Sequence, residues 1–296
     1  MNSTAGPALV DALAADVDRL RAAEPDVRRD HPDSVHKMRV ATRRLRSLLR
    51  SYRRAFARKP VGELSAELRW LAGLLGVARD AEVRGERFAA LLGETGAPFD
   101  DNTATGEKTT PRNDFGARLV AEERERYETA HAEAVAAFDT RRYRTLLDRL
   151  HGLLADPPLR PAQAKRPAAE VFTDVLRHDL RDLRRLVRTE PQDTDAERIE
   201  HLHEIRKAAK RLRYSAEAAT AVLDEPAALL ARRAKQLQTV LGDHRDAIEA
   251  LEVLREHASA AGETGYQRLC DAEEAAAAKA LEEYPAAIEF LRHHAL

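Results

Sequence analysis

An eleven-residue pattern occurs twice in this chain. The first copy is His36-Lys37-Met38-Arg39-Val40-Ala41-Thr42-Arg43-Arg44-Leu45-Arg46, and the second is His203-Glu204-Ile205-Arg206-Lys207-Ala208-Ala209-Lys210-Arg211-Leu212-Arg213. The His, the Arg, the basic pair, the Leu and the last Arg return at identical spacing, 167 residues on. A shorter echo follows each copy. Leu75-Gly76-Val77-Ala78-Arg79-Asp80 is matched 166 residues later by Leu241-Gly242-Asp243-His244-Arg245-Asp246. Two pairs of motifs at nearly one offset mark a duplicated unit, so the fold open to one half is open to the other.

The pattern around each motif has a helical period. Val35, Met38, Thr42, Leu45, Leu49, Tyr52 and Phe56 alternate by three and four, as one apolar seam of a helix over about 34–58. In the second half the seam is Leu202, Ile205, Ala209, Leu212, Ala216, Ala219 and Leu223, on a helix over about 195–223. Aromatics are only 5% of the chain and no stretch alternates as a strand does, so the fold class expected is all-α. Further helices are expected at 7–24, broken by Pro25, and at 62–94, with Gly76 and Arg79-Asp80 marking a break. Others fall at 114–138, 140–155, 168–189, 226–241, 243–261 and 264–292. Asp33 or Ser34 is placed to cap the first motif helix, and Pro60 to end it. Residues 95–113 read as a polar, disordered loop. Pro157, Pro158, Pro161 and Pro167 stiffen a connector at 156–167. It divides a bundle of antiparallel helices at 7–155 from a second at 168–292.

Each seam is flanked by charge. His36, Arg39, Arg43, Arg46, Arg50 and Arg53 keep the seam's rhythm one residue displaced. Like charges stacked at helical spacing cost a few tenths of a kcal/mol per pair, which folding alone does not call for. The second stripe, His203, Arg206, Lys210 and Arg213, stops at Glu217. Net charge is only −1, because ten Lys/Arg against one Asp at 33–59 are offset by ten Asp/Glu against four Lys/Arg at 248–296. A near-neutral molecule thus carries a local site for anions. Arginine forks and imidazolium bind phosphate oxygens by charge-assisted hydrogen bonds, so a linear polyanion is the ligand this pattern suits. The offset is constant at every basic position, so the two motif helices are expected to face each other across one shared site. Arg79-Asp80 and Arg245-Asp246 have two readings, helix-capping salt bridges, or arginines that reach the anion with the aspartates orienting them.

The residues that other chemistries need are missing. His203-Glu204 lacks the second histidine of HExxH, because position 207 is Lys, and Lys37 replaces the glutamate in the first copy. His201 and His203 point to different faces, and His293-His294 reads as a terminal tail. Gly106-Glu107-Lys108-Thr109 is not a Walker A loop. No nucleophile–base pair and no carboxylate set for Mg²⁺ stands in the motif helices, so no catalytic residue, metal or cofactor is assigned. His36 and His203 sit among arginines that hold their pKa down until an anion arrives. A single cysteine, Cys270, reads as a small packing residue. The absence of a signal-like N-terminus and of a membrane-length apolar run suggests a cytoplasmic protein with no membrane partner.

His-x-x-Arg-x-x-x-(Arg/Lys)-Arg-x-Arg, repeated and followed each time by Leu-Gly-x-x-Arg-Asp, resembles the CHAD domain, the conserved histidine α-helical domain, over about 7–292. The resemblance implies two helical bundles about a pseudo-twofold axis with a basic cleft or channel between them. It also implies binding of inorganic polyphosphate, without catalysis, and placement at polyphosphate granules. Carried over, the ligands are His36, Arg39, Arg43, Arg44 and Arg46 with His203, Arg206, Lys210, Arg211 and Arg213. Arg50, Arg79, Lys207 and Arg245 join them from the stripe, the echo and the motif. CHAD domains often accompany a CYTH triphosphatase domain, for which this chain has no β-rich segment, so any hydrolysis belongs to a separate polyphosphate-metabolising enzyme. The alternatives are a nucleic-acid-binding protein, an accessory subunit of a polyphosphate- or triphosphate-hydrolysing enzyme, or a phosphohydrolase. Nucleic acid is disfavoured because only Tyr52 and Tyr214 stand near the stripes for base stacking.

Overall fold

A computed structural model describes residues 3–94, 115–191, 195–261 and 265–292. The helices are α1 (Ala5–Arg28), α2 (Ser34–Ser51), α3 (Arg58–Glu94), α4 (Phe115–Phe138), α5 (Arg141–Ala155), the short α6 (Pro161–Ala164), α7 (Ala168–Arg188), α8 (Asp195–Ala261) and α9 (Gly265–Ala287). Among the described residues the extended pairing is limited to two isolated bridges, so the fold is all-α. No helix there is long and apolar enough to cross a membrane. The loop expected at 95–113 and the His293-His294 pair lie outside the described residues.

Both seams are the buried faces of their helices. Val35, Met38, Leu45, Leu49, Ile205, Ala209 and Leu212 are at most 1% exposed. They belong to one continuous core drawn from α1 to α5 and α7 to α9. The motif helices α2 and α8 cross within it. The Tyr52 ring packs on Phe172 at 4.9 Å, and its hydroxyl donates to the Ser215 carbonyl oxygen at 3.2 Å. A second, smaller core joins Phe88 and Leu119 to Ala250, Leu254 and Leu269, with buried Cys270 packed among them. Nearby, Arg87 of α3 forms an ion pair with the fully buried Glu273 of α9. Residues from both repeats therefore close against each other at two places. The intervening 156–167 segment is hydrogen-bonded on each side. Arg160 N–H donates to Ala55 O at 2.7 Å, Ala57 N–H to Pro158 O at 2.7 Å and Ala5 N–H to Arg166 O at 2.9 Å.

Several boundaries differ from the sequence reading. Pro25 lies inside α1, which continues to Arg28 because Val27 is fully buried and anchors the last turn. Pro60 does not end the first motif helix. That helix stops at Ser51, and Pro60 stands in the first turn of α3, where a missing N–H leaves no bond unmade. Asp33 occupies the N-cap position with φ 62° but its side chain makes no capping bond, and the Ser34 hydroxyl is buried without a partner. The breaks expected at Gly76 and between 241 and 243 are absent, since α3 and the 225–261 arm of α8 run straight through them. The break in α8 is Asp224, with φ 48° and ψ −135°, two residues before Pro226, where the sequence reading also ended one helix at about 223 and began the next at about 226. There the 225–261 arm folds back, so that Arg213 reaches Gln238 at 3.3 Å.

A core shared by both motif helices should unfold as one unit. Leu45→Ala and Leu212→Ala, at equivalent seam positions, should each cost about 2–5 kcal/mol. Each should move a single calorimetric transition; a split into two transitions would show that the halves fold independently.

Candidate functional site

In both halves the motif arginine lies across the glycine of the echo. The Arg39 guanidinium sits so close to Gly76 that a Cβ there would meet Nη2 at 3.7 Å, and Arg206 lies over Gly242 with the corresponding distance 3.5 Å. A Cβ at either glycine would be in ordinary van der Waals contact with the guanidinium, and only a longer side chain would displace it. Arg39 then reaches Asp80 at 2.9 Å, while Arg206 is the cation that acts most strongly on Asp246. Arg79 and Arg245 pair with acids on their own helices, Glu82 at 2.8 Å and Glu249 at 2.7 Å. The echo aspartates therefore neither cap helices nor orient their neighbouring arginines. They face the motif arginine of the preceding helix.

The basic pair of each motif divides in the same way in both halves. Arg44 bonds Asp16 of α1 at 2.8 Å, and Arg211 lies 3.5 Å from Asp179 of α7. Asp16 and Asp179 are 1% and 2% exposed. Burial raises both carboxyl pKa values, and the arginines oppose that shift. Ser215 at 2.8 Å and Ser51 at 3.2 Å also donate to Asp179. Arg44 further pairs with Glu217 across the crossing and lies over the Tyr214 ring at 5.6 Å. Arg213 pairs with Glu217 at 2.7 Å. Of the motif cations, Arg44, Arg211 and Arg213 are thus engaged in holding helices together.

The remaining ones converge. Arg43, Arg46, Arg50, Arg206 and Lys210 form no ion pair among the described residues. Arg43 and Lys210, one from each repeat, stand with Arg39 and Arg206 in one cluster. Burial first, then the like charges of Arg43, Arg206 and Arg39, push the Lys210 ammonium down to about 6. Burial and Arg39 push Arg43 down to about 10. From this cluster opens a cleft of about 530 Å³. One wall is Arg43, Arg46, Arg50 and Arg53, a second is Arg58, Gly62, Ser65 and Arg69 of α3, and a third is Lys207, Lys210, Arg211 and Tyr214 of α8. Nine Lys/Arg and no Asp or Glu line it among the described residues.

The CHAD domain sequence pattern matches residues 11–255. The chain belongs to the CHAD domain family. That family is associated with polyphosphate and triphosphate binding. Two Mycobacterium tuberculosis proteins, MT2285 and Rv2226, are each 37% identical over 255 residues, covering 86% of this chain and 46% of theirs. The chain thus spans about half the length of those relatives. Its fold is similar to that of PptA from Streptomyces chartreusis, with TM-score 0.72 and 22% identity over 99% of both chains. It is equally similar to the CHAD domain from the plant Ricinus communis, with TM-score 0.71 and 22% identity over 98% of this chain and 92% of that one.

The motif histidines, His36 and His203, are partly buried. The pKa of His36 and of His203 is lowered, as the sequence reading expected, but burial is the main cause. Arg79 adds to it at His36, and Lys207 and Arg245 at His203. Among the described residues no three His, Cys, Asp or Glu gather as metal ligands would. His201 bonds the Leu186 carbonyl oxygen at 2.8 Å and serves packing. Sequence reasoning missed Arg58 and Arg69 in this CHAD cleft. They share one α3 face with Val61, Gly62 and Ser65, and the small residues on that face were the available signal. It also missed Asp16 and Asp179, whose burial no local pattern announces.

If the four-cation cluster exists in solution, Lys210 Nζ should titrate near pH 6 by NMR in the free protein. Arg43→Met should raise that value by removing the strongest of the like charges. A Lys210 that titrates as an ordinary lysine, at about 10.4, would refute the cluster.

Proposed function

We propose that this CHAD domain binds inorganic polyphosphate without hydrolysing it, along the cleft shared by its two repeats. The observation that carries the reading is the cleft itself, lined by nine Lys/Arg from α2 and the turn after it, α3 and α8, with no carboxylate among the described residues of its walls. An evenly charged, flexible polyanion fits such a lining, since each phosphate unit meets guanidinium forks in turn. The recurrence of Arg39–Gly76–Asp80 as Arg206–Gly242–Asp246, and of Arg44–Asp16 as Arg211–Asp179, supports a duplicated unit. In this reading 7–155 and 168–292 are its two bundles, and a pseudo-twofold axis passes near the helix crossing. Arg39, Arg79, Arg206 and Arg245, with His36 and His203 beside them, form the approaches, and Arg43, Arg46, Arg50, Lys207 and Lys210 the bed. Arg44, Arg211 and Arg213 then support the bed rather than fill it. Tyr52 and Tyr214 are 1% and 4% exposed, so neither offers a face to a nucleobase, which favours polyphosphate over single-stranded nucleic acid. Placement at polyphosphate granules in the cytoplasm, and hydrolysis by a separate enzyme, follow from this reading.

Titration with size-fractionated polyphosphate tests it. Affinity should fall by about two to four orders of magnitude between roughly 50 and 200 mM salt, through loss of counterion release. Arg43→Glu and Lys210→Glu occupy equivalent positions in the two repeats. Each should weaken binding by at least about tenfold at unchanged stoichiometry. Halved stoichiometry with one unweakened site would mean two separate sites, and release of phosphate by the isolated chain would overturn the non-catalytic reading.

Binding should also take up a proton. Lys210 is held down to about 6 in the empty site, and a bound polyanion raises it. The ligand therefore favours the protonated form. Affinity should be greatest below pH 6 and fall as pH rises from there toward the bound-state value. Calorimetry at pH 7 in buffers of different ionisation enthalpy would show the uptake, and Lys210→Met should abolish its largest part.

A further inference from the structure

A second cavity, of about 140 Å³, opens beside the cleft and shares Arg50, Arg53 and Arg211 with it. Its walls are the turn after α2, which carries Arg53 and Arg54, the end of α6, and the face of α7 that bears Asp174 and His178. The two carboxylates that reach it are already committed. Asp174 holds Arg166 at 2.9 Å, and Asp179 accepts from Ser215 and Ser51 beside Arg211. Arg50, Arg53 and Arg54 are exposed and form no ion pair among the described residues. His178 stands half exposed, 3.8 Å from Asp182. The cavity has roughly ten times the room that one water needs. This cationic end is peculiar to the first repeat. At the equivalent offset of 167 the second repeat has Glu217, Thr220 and Ala221 in place of Arg50, Arg53 and Arg54.

We propose that the smaller cavity is an extension of the anion track, in which further phosphate units of a long polyphosphate chain leave the cleft between Arg50 and Arg53 and lie against Arg54 and His178. The inference rests on the polyphosphate reading above. It makes the site lopsided, because a chain gains contacts by growing past the first repeat and none by growing past Glu217. Affinity then depends on length in two stages, one as the cleft fills and a second as the extension fills. Arg54 and His178 touch only the second stage, since neither lines the cleft.

The test compares the intact chain with Arg54→Ala, His178→Ala and the double variant against linear polyphosphates of graded length. The shortest chains that bind should bind all four proteins alike. With longer chains the affinity of the unaltered protein should keep rising after that of the double variant has levelled off, to a gap of about tenfold. Equal losses at every length, or none at any length, would overturn the extension while leaving the cleft reading intact. Failure of the unaltered chain to bind polyphosphate of any length would instead sink the reading on which it rests.

Discussion

The structure depends on holding like charges together. Arg39 and Arg43 come from one motif helix and Arg206 and Lys210 from the other, and they meet where α2 and α8 cross. Each carries a charge that repels the rest in a partly dry setting, where screening by water is weakest. What opposes the repulsion is the seam one residue away on the same helices. Met38, Leu45, Ile205 and Leu212 are fully buried, at about 2 kcal/mol for each such side chain. The proton equilibrium of Lys210 offers further relief. With its pKa at about 6, the empty site near neutral pH is largely free of one of its four charges. An arriving polyanion would restore it.

The second constraint is a division of labour within each motif. Two basic residues stand side by side, Arg43 with Arg44 and Lys210 with Arg211, and a helix turns them about 100° apart. One of each pair enters the cluster of cations. The other turns back to a buried aspartate on the preceding helix, Asp16 or Asp179, and fixes that helix against the motif helix. A buried carboxylate without its arginine is costly, so these pairs specify how the helices meet more than they add net stability. Arg39 and Arg206 lie against Gly76 and Gly242 in the same way. The cationic cluster and the scaffold are therefore made from neighbouring letters of the same motif.

Much of this was legible in the chain. The helical class, the two seams and the basic stripes all follow from spacing, because a helix returns to the same face every three or four residues whatever surrounds it. The punctuation was less legible. Pro60 and Gly76 carry strong local preferences, but Pro60 costs nothing in a first turn, and Gly76 is held in α3 by packing on both sides. Pro25 is overruled by the burial of Val27 in the same way. Asp224 was the only one of these breaks where the local signal and the backbone agreed, with Pro226 close behind it.

The sequence by itself determined that the chain is helical and carries one basic motif twice, and that each copy sets a cationic stripe beside an apolar one. Those facts are local, since they depend only on residue type and helical period. Which cations remain available was decided by the tertiary structure alone. Arg44 and Arg211 are as basic as Arg43 and Arg46, and they differ in the acids that distant helices bring to them. Likewise Arg58 and Arg69 join the cleft because α3 packs beside α2, and Lys210 loses its ordinary affinity for a proton because the packed chain buries it and sets Arg43, Arg206 and Arg39 around it. Charge acts through space, and only the packed chain decides which charges are neighbours.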